Sequence, residues 1–193
     1  MQKNKTLYVA YGSNMNVEQM QHRCPTAKVV TSMFLEGYRL RFMGGHYSAV
    51  ATIEPSDDDL VPITVWEIYP EDERNLDVYE GFPHLYRKET LKLKLGKKTF
   101  SAMVYIINGE KMLYGQPSKA YFETIREGYI SAGFDPKLLH QAVAENMKGE
   151  KIYEEKNAFL ITCRSDGFLH AGSSSCIRRG ERQSKTYILR MVR

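Results

Sequence analysis

The sequence predicts an α+β fold, in which mostly antiparallel strands pack against helices. Between residues 28 and 69 the chain supplies three strand-like runs with no helical periodicity between them. Leucines and lysines then alternate over residues 91–95, and a glycine-containing turn joins them to a second apolar run, as in a β-hairpin. Apolar residues at helical spacing follow these strands in two segments.

The first predicted strand covers residues 6–11, a run of β-forming residues that ends at the polar sequence 12–14. A helix is expected next. Asn16 can cap it, with Gln19 three residues on as in a capping box, and Pro25 ends it.

Three strands are predicted over residues 29–42, 47–53 and 61–69, the first of them interrupted at Gly37. Two loops are predicted between them, at the glycine pair 44–45 and at the polar cluster 56–59.

A short helix is predicted from Pro70 to Tyr79 or Glu80, because proline suits a first helical position and acidic residues follow it. The hairpin comes next, with its second strand over residues 100–107. Two helices close the domain. Their apolar faces are predicted to carry Tyr121, Ile125 and Tyr129 in the first and Leu139, Val143 and Met147 in the second.

The composition indicates one globular domain with an appendage. Of the 193 residues, 42% are hydrophobic and 26% charged, which is typical of a protein with a packed core. We expect the domain over residues 1–149, followed by a basic extension, 150–193, to which we assign no structure. Residues 164–193 carry seven Lys or Arg against two acidic residues, so the net charge of +4 belongs to this tail. The main domain therefore offers no basic stripe for nucleic acid.

Other patterns limit the location and the cofactors. There is no apolar run of the roughly 18 residues that a membrane span needs, and the start of the chain lacks a signal-peptide apolar region, so we expect a cytoplasmic protein. Cys24, Cys163 and Cys176 form no close pair and are expected to be free thiols. The histidines are scattered, which disfavours a metal site.

The polar turn after the first strand, residues 11–14, is the first candidate site. Gly12 lets a ligand approach the backbone, and Ser13 and Asn14 can offer a hydroxyl and an amide to a carboxylate or an oxyanion. An ordinary strand-to-helix turn uses the same residue types, and the tetrapeptide alone favours that interpretation.

Glu80 is the second candidate. It lies one helical turn beyond Leu76, on a face that is predicted to be buried, and at the C-terminus of its helix just before Gly81. Burial and the helix dipole both disfavour the ionised form, so its pKa should rise, as a general base requires. Taken by its residue type alone, Glu80 is more often a solvated surface side chain.

Both candidates occur together, in this order, in a known family. The segment 8–15, Tyr-Val-Ala-Tyr-Gly-Ser-Asn-Met, resembles the opening signature of the γ-glutamylcyclotransferases (AIG2-like proteins). The segment 76–81, Leu-Asp-Val-Tyr-Glu-Gly, resembles the part that bears their catalytic glutamate. The resemblance continues through Tyr86, Tyr105 and residues 117–121, and spans roughly residues 6–145.

The resemblance implies a strongly curved sheet or small barrel, and a pocket at the end of the first strand. It also implies a cofactor-free reaction in which the α-amine of a small γ-glutamyl substrate attacks its own γ-carbonyl, so that 5-oxoproline forms and an amine or amino acid leaves. Glu80 would be the general base. The substrate-binding residues would be Tyr8, Val9, Ala10, Tyr11, Gly12, Ser13, Asn14 and Tyr105.

Two alternatives to an enzyme stay open, a binding module that keeps the fold without catalysis and an adaptor that acts through the basic tail. Tyr105 is as well explained as a core residue, and Cys24 as core filler rather than a nucleophile. The leaving group and the oligomeric state are not decided by the sequence, and a homodimer is one candidate assembly.

Overall fold

The computed structural model of the chain describes residues 4–109 and 112–148. These residues belong to one compact unit, Met1–Ile152. The predicted basic extension, with Cys163 and Cys176, lies outside the described residues.

The described residues form five strands, one short 3-10 turn and four helices. The strands are β1 (Thr6–Ala10), β2 (Lys28–Met43), β3 (Val50–Ile68), β4 (Tyr86–Leu95) and β5 (Lys98–Ile107). The helices are α1 (Val17–Arg23), α2 (Pro70–Glu80), α3 (Lys119–Ser131) and α4, which is helical over residues 137–148. The 3-10 turn, Ser13–Met15, lies between β1 and α1.

The strands form one mixed sheet in the order β2-β3-β1-β5-β4. All neighbouring strands pair antiparallel except β1 and β5, which are parallel. This arrangement confirms the predicted α+β class with a mostly antiparallel sheet. Of the two forms expected, a curved sheet or a barrel, the described residues have the open sheet, with β2 and β4 as its edges.

One predicted loop is wrong. Residues 50–53 of the first run, the polar cluster and residues 61–68 of the second run belong to the single 19-residue strand β3, and residues 47–49 and Tyr69 lie outside it. The pairing with β2 shifts between Glu36 and Tyr38, so residues 56–59 bulge opposite Gly37. Strand β2 continues through Gly37 and is not interrupted as predicted; this glycine, with a φ of 78°, lies where the pairing becomes irregular.

The polar side chains of this bulge find partners in the neighbouring strand. Arg39 of β2 donates to the Ser56 hydroxyl at 2.5 Å, and its Nε lies 3.2 Å from an Asp59 oxygen. A Ser-Asp cluster is typical of a loop because it needs water or a partner, and here the arginine supplies that partner within the sheet.

The boundaries predicted for α2 are confirmed. The helix begins at Pro70, the backbone N–H of Tyr69 donates to the Asp72 carboxylate at 3.0 Å, and Gly81 ends the helix in the left-handed conformation with a φ of 65°. The Asn16 cap of α1 is also present, since its side chain accepts from the Gln19 N–H at 3.1 Å. Among the described residues no helix is long and apolar enough to cross a membrane.

The length of β1 creates the site. This strand ends at Ala10, where it pairs with Thr64, whereas β3 continues to Val50 and β5 to Ile107. The two long strands approach each other beyond the end of β1, and the Ile107 N–H donates to the Thr52 hydroxyl at 3.2 Å. The chain leaving β1 therefore turns away and leaves a gap bordered by both strands.

Candidate active site

A cavity of about 210 Å³ opens at the end of β1. The polar turn, the end of α2 and single tyrosines from β4, β5 and α3 surround it. Its lining residues are Tyr8, Tyr11, Gly12, Ser13, Asn14, Val50, Ala51, Tyr79, Glu80, Leu85, Tyr86, Tyr105 and Tyr121. The structure thus brings both candidate motifs to one cavity. Val9 and Ala10, by contrast, are buried in the sheet and are not part of this lining.

Glu80 lies in the cavity wall at the last residue of α2. Leu76, one turn earlier on the same face, is completely buried, as the helical spacing predicts. Burial raises the pKa of the Glu80 carboxyl from 4.5 to about 7, although the positive charge of Arg23 and a hydrogen bond from Asn14 lower it in part. The carboxyl can therefore gain or lose a proton near neutral pH.

The Asn14 side chain is fully engaged by protein groups. Its Nδ2 donates to the Glu80 Oε1 at 2.8 Å and to the Tyr8 hydroxyl at 2.7 Å, and its Oδ1 accepts from Arg23. A primary amide has two N–H donors, so neither is left for a ligand. This geometry connects Asn14 with the carboxylate rather than with a bound molecule.

Arg23 is a site residue that the sequence reasoning missed. Its guanidinium lies 3.6 Å above the Tyr79 ring and donates to Ser13 and Asn14, as well as to Gln19 at 2.9 Å. A basic residue in the last turn of a helix is common because the dipole favours it, so its position in the sequence carried no functional signal.

Gly12 lies against the cavity wall. A Cβ on Gly12 would be 3.2 Å from the Ala51 Cβ and 3.3 Å from the Tyr121 hydroxyl oxygen, which leaves no room for a larger side chain. Its carbonyl accepts from the Met15 N–H at 3.0 Å, which closes the 3-10 turn. The first N–H groups of a helical turn have no acceptor within the turn. In this protein the start of the 3-10 turn borders the cavity.

Six tyrosines line the cavity; Tyr79 shares a hydrogen bond with Ser13, and the hydroxyls of the other five form two groups. Three donate their protons to protein acceptors: Tyr11 to the Tyr105 carbonyl at 2.6 Å, Tyr86 to the Ala51 carbonyl at 2.7 Å and Tyr105 to Asp77 at 2.6 Å. The other two, Tyr8 and Tyr121, accept an N–H instead, from Asn14 and from Ala51. Since Asn14 is the donor in its hydrogen bond, the Tyr8 hydroxyl keeps its own proton available to a ligand in the cavity.

All five tyrosines stay neutral. Burial raises the pKa of Tyr8, Tyr11, Tyr86, Tyr105 and Tyr121 above the ordinary value of 10.0, and the negative charge of Glu80 adds to each increase. The cavity consequently contains neutral hydroxyls around a single carboxyl group.

Cys24 takes no part in this site. Its side chain is completely buried and its thiol donates to the Asp72 carbonyl at 3.4 Å. Burial raises the pKa of the thiol to about 12, which opposes formation of a nucleophilic thiolate. Among the described residues no three His, Cys, Asp or Glu side chains are grouped so that they could hold a metal ion.

The fold and the site define an α+β protein with a carboxyl group of raised pKa in a small, tyrosine-lined cavity. Such a site can exchange a proton with a small polar molecule. The family comparison agrees with the motifs: the family described as gamma-glutamyl cyclotransferase, AIG2-like, matches residues 8–123, and the chain belongs to this family.

Solved structures share the fold. A protein named gamma-glutamyl cyclotransferase is 24% identical, with a TM-score of 0.64 over 72% of this chain and 86% of that one. An uncharacterized protein from Homo sapiens matches with the same values. YkqA from Bacillus subtilis is 21% identical, with a TM-score of 0.59 over 72% of this chain and 53% of its own. The comparison with curated protein sequences found no match.

Proposed function

We propose that this chain is a cyclotransferase that converts a γ-glutamyl group to 5-oxoproline and releases an amine or amino acid. The observation that carries the proposal is Glu80, a carboxyl with a pKa raised to about 7 inside a cavity bounded by the polar turn. The family membership of residues 8–123 supports the same reaction.

The substrate enters with its α-ammonium beside Glu80. A carboxylate and the faces of tyrosine rings both attract a cation, and this cavity offers them together. The α-carboxylate of the substrate then lies toward the polar turn, where Ser13 and the backbone N–H groups bind it. This placement folds the γ-glutamyl chain into a conformer close to a five-membered ring.

Glu80 acts as the general base and then as the acid. It removes one proton from the α-ammonium, and the amine nitrogen attacks the γ-carbonyl carbon as the carbonyl π bond opens onto oxygen. When the intermediate collapses, the bond from this carbon to the leaving nitrogen breaks and Glu80 returns the proton to that nitrogen. The ring nitrogen then gives up its second proton through Glu80 to the released amine, which leaves as an ammonium ion, and 5-oxoproline keeps a single N–H. A carboxyl with a pKa near the working pH suits these transfers.

Tyr8 stabilises the oxygen that becomes negative during the attack. Its hydroxyl and the Glu80 carboxylate contact the same Asn14 nitrogen, so they lie within two hydrogen-bond lengths of each other. One substrate can therefore present its amine to Glu80 and its γ-carbonyl oxygen to Tyr8 at the same time. A neutral hydroxyl whose proton is free can donate to such an oxyanion.

The direct test is incubation of the purified full chain with a panel of γ-glutamyl compounds, including γ-glutamyl amino acids, amines and peptides. We expect 5-oxoproline to form with at least one of them, in equal amount to the released amine, and its formation to be lost in Glu80→Gln. If the panel binds to the protein but no member is cyclised, the chain is a binding module.

Deletion of residues 164–193 separates the enzyme from the adaptor. An enzyme of the proposed kind should retain its 5-oxoproline formation without the basic tail, because the site lies within residues 8–121. Loss of activity in a deletion variant with an unchanged melting temperature would contradict this assignment.

A further inference from the structure

We propose that Arg23 is a positioning residue, which holds the Asn14 amide toward Glu80 and couples the polar turn to the end of α2. This inference rests on the proposed function for its kinetic test and on the described geometry for a second test that needs no turnover. Arg23 does not line the cavity, so it acts through its neighbours.

The first step concerns the orientation of Asn14. An amide side chain can rotate to exchange its oxygen and nitrogen, and only one orientation lets it donate to a carboxylate. Arg23 has N–H donors and no acceptor, so it bonds only to the Asn14 oxygen. The Nδ2 is then directed to Glu80 at 2.8 Å and to Tyr8 at 2.7 Å.

The second step concerns the two motifs, which lie 66 residues apart in the sequence. The same guanidinium donates to Ser13 at 3.3 Å and stacks on Tyr79, the residue before Glu80, at 3.6 Å. The carbonyl of Arg23 also accepts from Asn75 of α2 at 3.1 Å. Arg23 therefore connects the polar turn directly to the helix that carries the base.

The third step concerns charge. The groups that face Glu80 are Tyr8 from β1, Tyr11 after it, Tyr86 from β4, Tyr105 from β5 and Tyr121 from α3, all neutral, together with Arg23 from α1. Arg23 is the cation among them, and its charge opposes the effect of burial on the carboxyl. It favours the ionised form of Glu80, which is the form that can accept the substrate proton.

The kinetic test compares Arg23→Gln and Arg23→Lys with the wild type from pH 5 to pH 10, using the best γ-glutamyl substrate. In Arg23→Gln we expect kcat/KM at pH 7 to fall about tenfold. The acidic limb of the pH profile of kcat/KM should move up by about one pH unit, because Glu80 loses the nearby positive charge of Arg23. Lysine keeps the charge without the planar fork, so in Arg23→Lys we expect kcat to fall and the acidic limb to move less than in Arg23→Gln, because only the Asn14 hydrogen bond to Glu80 is weakened. Arg126→Gln, which removes an arginine paired with Glu123 on α3, is the matched control and should change neither.

The second test is a ¹³C NMR titration of the labelled glutamate carboxyls, in which Glu80 is assigned by its absence from Glu80→Gln. We expect Glu80 to titrate at higher pH in Arg23→Gln than in the wild type and in Arg126→Gln. Thermal melting checks that each variant is folded at the temperature of the experiment.

The outcomes separate the two proposals. If no γ-glutamyl compound is cyclised by the wild type, the proposed function fails, and the NMR titration still decides whether Arg23 acts on the Glu80 carboxyl. An unchanged Glu80 titration in folded Arg23→Gln would overturn the charge argument. A kcat in Arg23→Lys equal to that of the wild type would overturn the positioning of Asn14.

Discussion

Helix α2 carries two acidic residues near the cavity that have opposite surroundings. Asp77 lies 2.7 Å from the Lys88 ammonium, which also pairs with Glu73 at 2.6 Å, and it accepts the Tyr105 hydroxyl proton at 2.6 Å. Glu80, three residues later, accepts from the neutral Asn14 amide, and none of the described cations forms an ion pair with it.

The difference shows that one helix carries a carboxylate paired with a cation and a buried carboxyl without such a pair. The Lys88 ammonium contacts Asp77 directly, and Asp77 in turn accepts the Tyr105 hydroxyl proton and fixes the Tyr105 ring in the wall. Burial without a contacting cation leaves Glu80 with a raised pKa of about 7. Position on the helix therefore decides whether a cation contacts each acid.

The largest effect that follows is on turnover. Replacement Glu80→Gln keeps the shape and the contact with Asn14 but cannot take a proton, so we expect the rate of 5-oxoproline formation to fall by about 10²–10⁴. Binding of 5-oxoproline, measured by calorimetric titration, should change little. Glu71→Gln, at an exposed position in the first turn of the same helix, is the control. A Glu80→Gln rate above about a third of the wild-type rate would exclude Glu80 as the base.

The next effect is on the free energy of unfolding, which we expect to change in opposite directions in variants of Glu80 and of Asp77. Because the Glu80 pKa is raised in the folded state from 4.5 to about 7, its contribution favours folding below pH 4.5 and is lost as the pH rises through about 7. As the pH rises from 4 to 8, the wild type should therefore lose about 3 kcal/mol in its free energy of unfolding relative to Glu80→Gln.

Asp77→Asn should lose stability instead, by about 1 kcal/mol at pH 7, because it removes a partly buried ion pair. Chemical denaturation of both variants at pH 4 and pH 8 makes the comparison. If Glu80→Gln follows the wild type at both pH values, Glu80 is solvated and its surroundings do not differ from those of a surface carboxylate.

A third effect distinguishes the two groups of tyrosines. Tyr8→Phe removes a hydroxyl whose proton is available to the ligand, and we expect kcat to fall by about 10²-fold, the low end for the loss of an oxyanion donor. Tyr86→Phe removes a hydroxyl that donates to the Ala51 carbonyl, so it should lower the melting temperature more than the rate. Equal rate losses in both variants would mean that the direction of these hydrogen bonds has no part in catalysis.

The elements of the fold could largely be predicted because their boundaries are local. Helix α2 is defined by Pro70, its acidic first turn and Gly81, and the hairpin of β4 and β5 by alternation around Gly96. The pairing of β1 between β3 and β5 could not be derived from such patterns, because it joins strands that are far apart in the chain. The continuity of β3 was hidden because its bulge has the composition of a loop.

The site was predicted only in part for the same reason. The polar turn and Glu80 could be named from their motifs, and the raised pKa of Glu80 from its position after Leu76. The roles of Arg23 and Asn14 depend on which atoms meet across α1, the polar turn and α2, and residue types do not contain that information. The direction in which each tyrosine hydroxyl donates is likewise a property of the folded chain.

The smallest effect concerns the Ser13 hydroxyl, which has weaker contacts than Asn14. Its oxygen lies 3.3 Å from the Tyr79 hydroxyl and 3.3 Å from the Arg23 Nη1, both long hydrogen bonds, so it can turn to a ligand carboxylate at little cost. For Ser13→Ala we expect the affinity for 5-oxoproline to fall about fivefold, equivalent to one hydrogen bond of about 1 kcal/mol. Calorimetric titration measures this loss, and Ser131→Ala, at the end of α3, is the control. Unchanged affinity in Ser13→Ala would mean that the backbone N–H groups of the turn bind the ligand carboxylate. The Ser13 hydroxyl would then serve only to contact Tyr79 and Arg23.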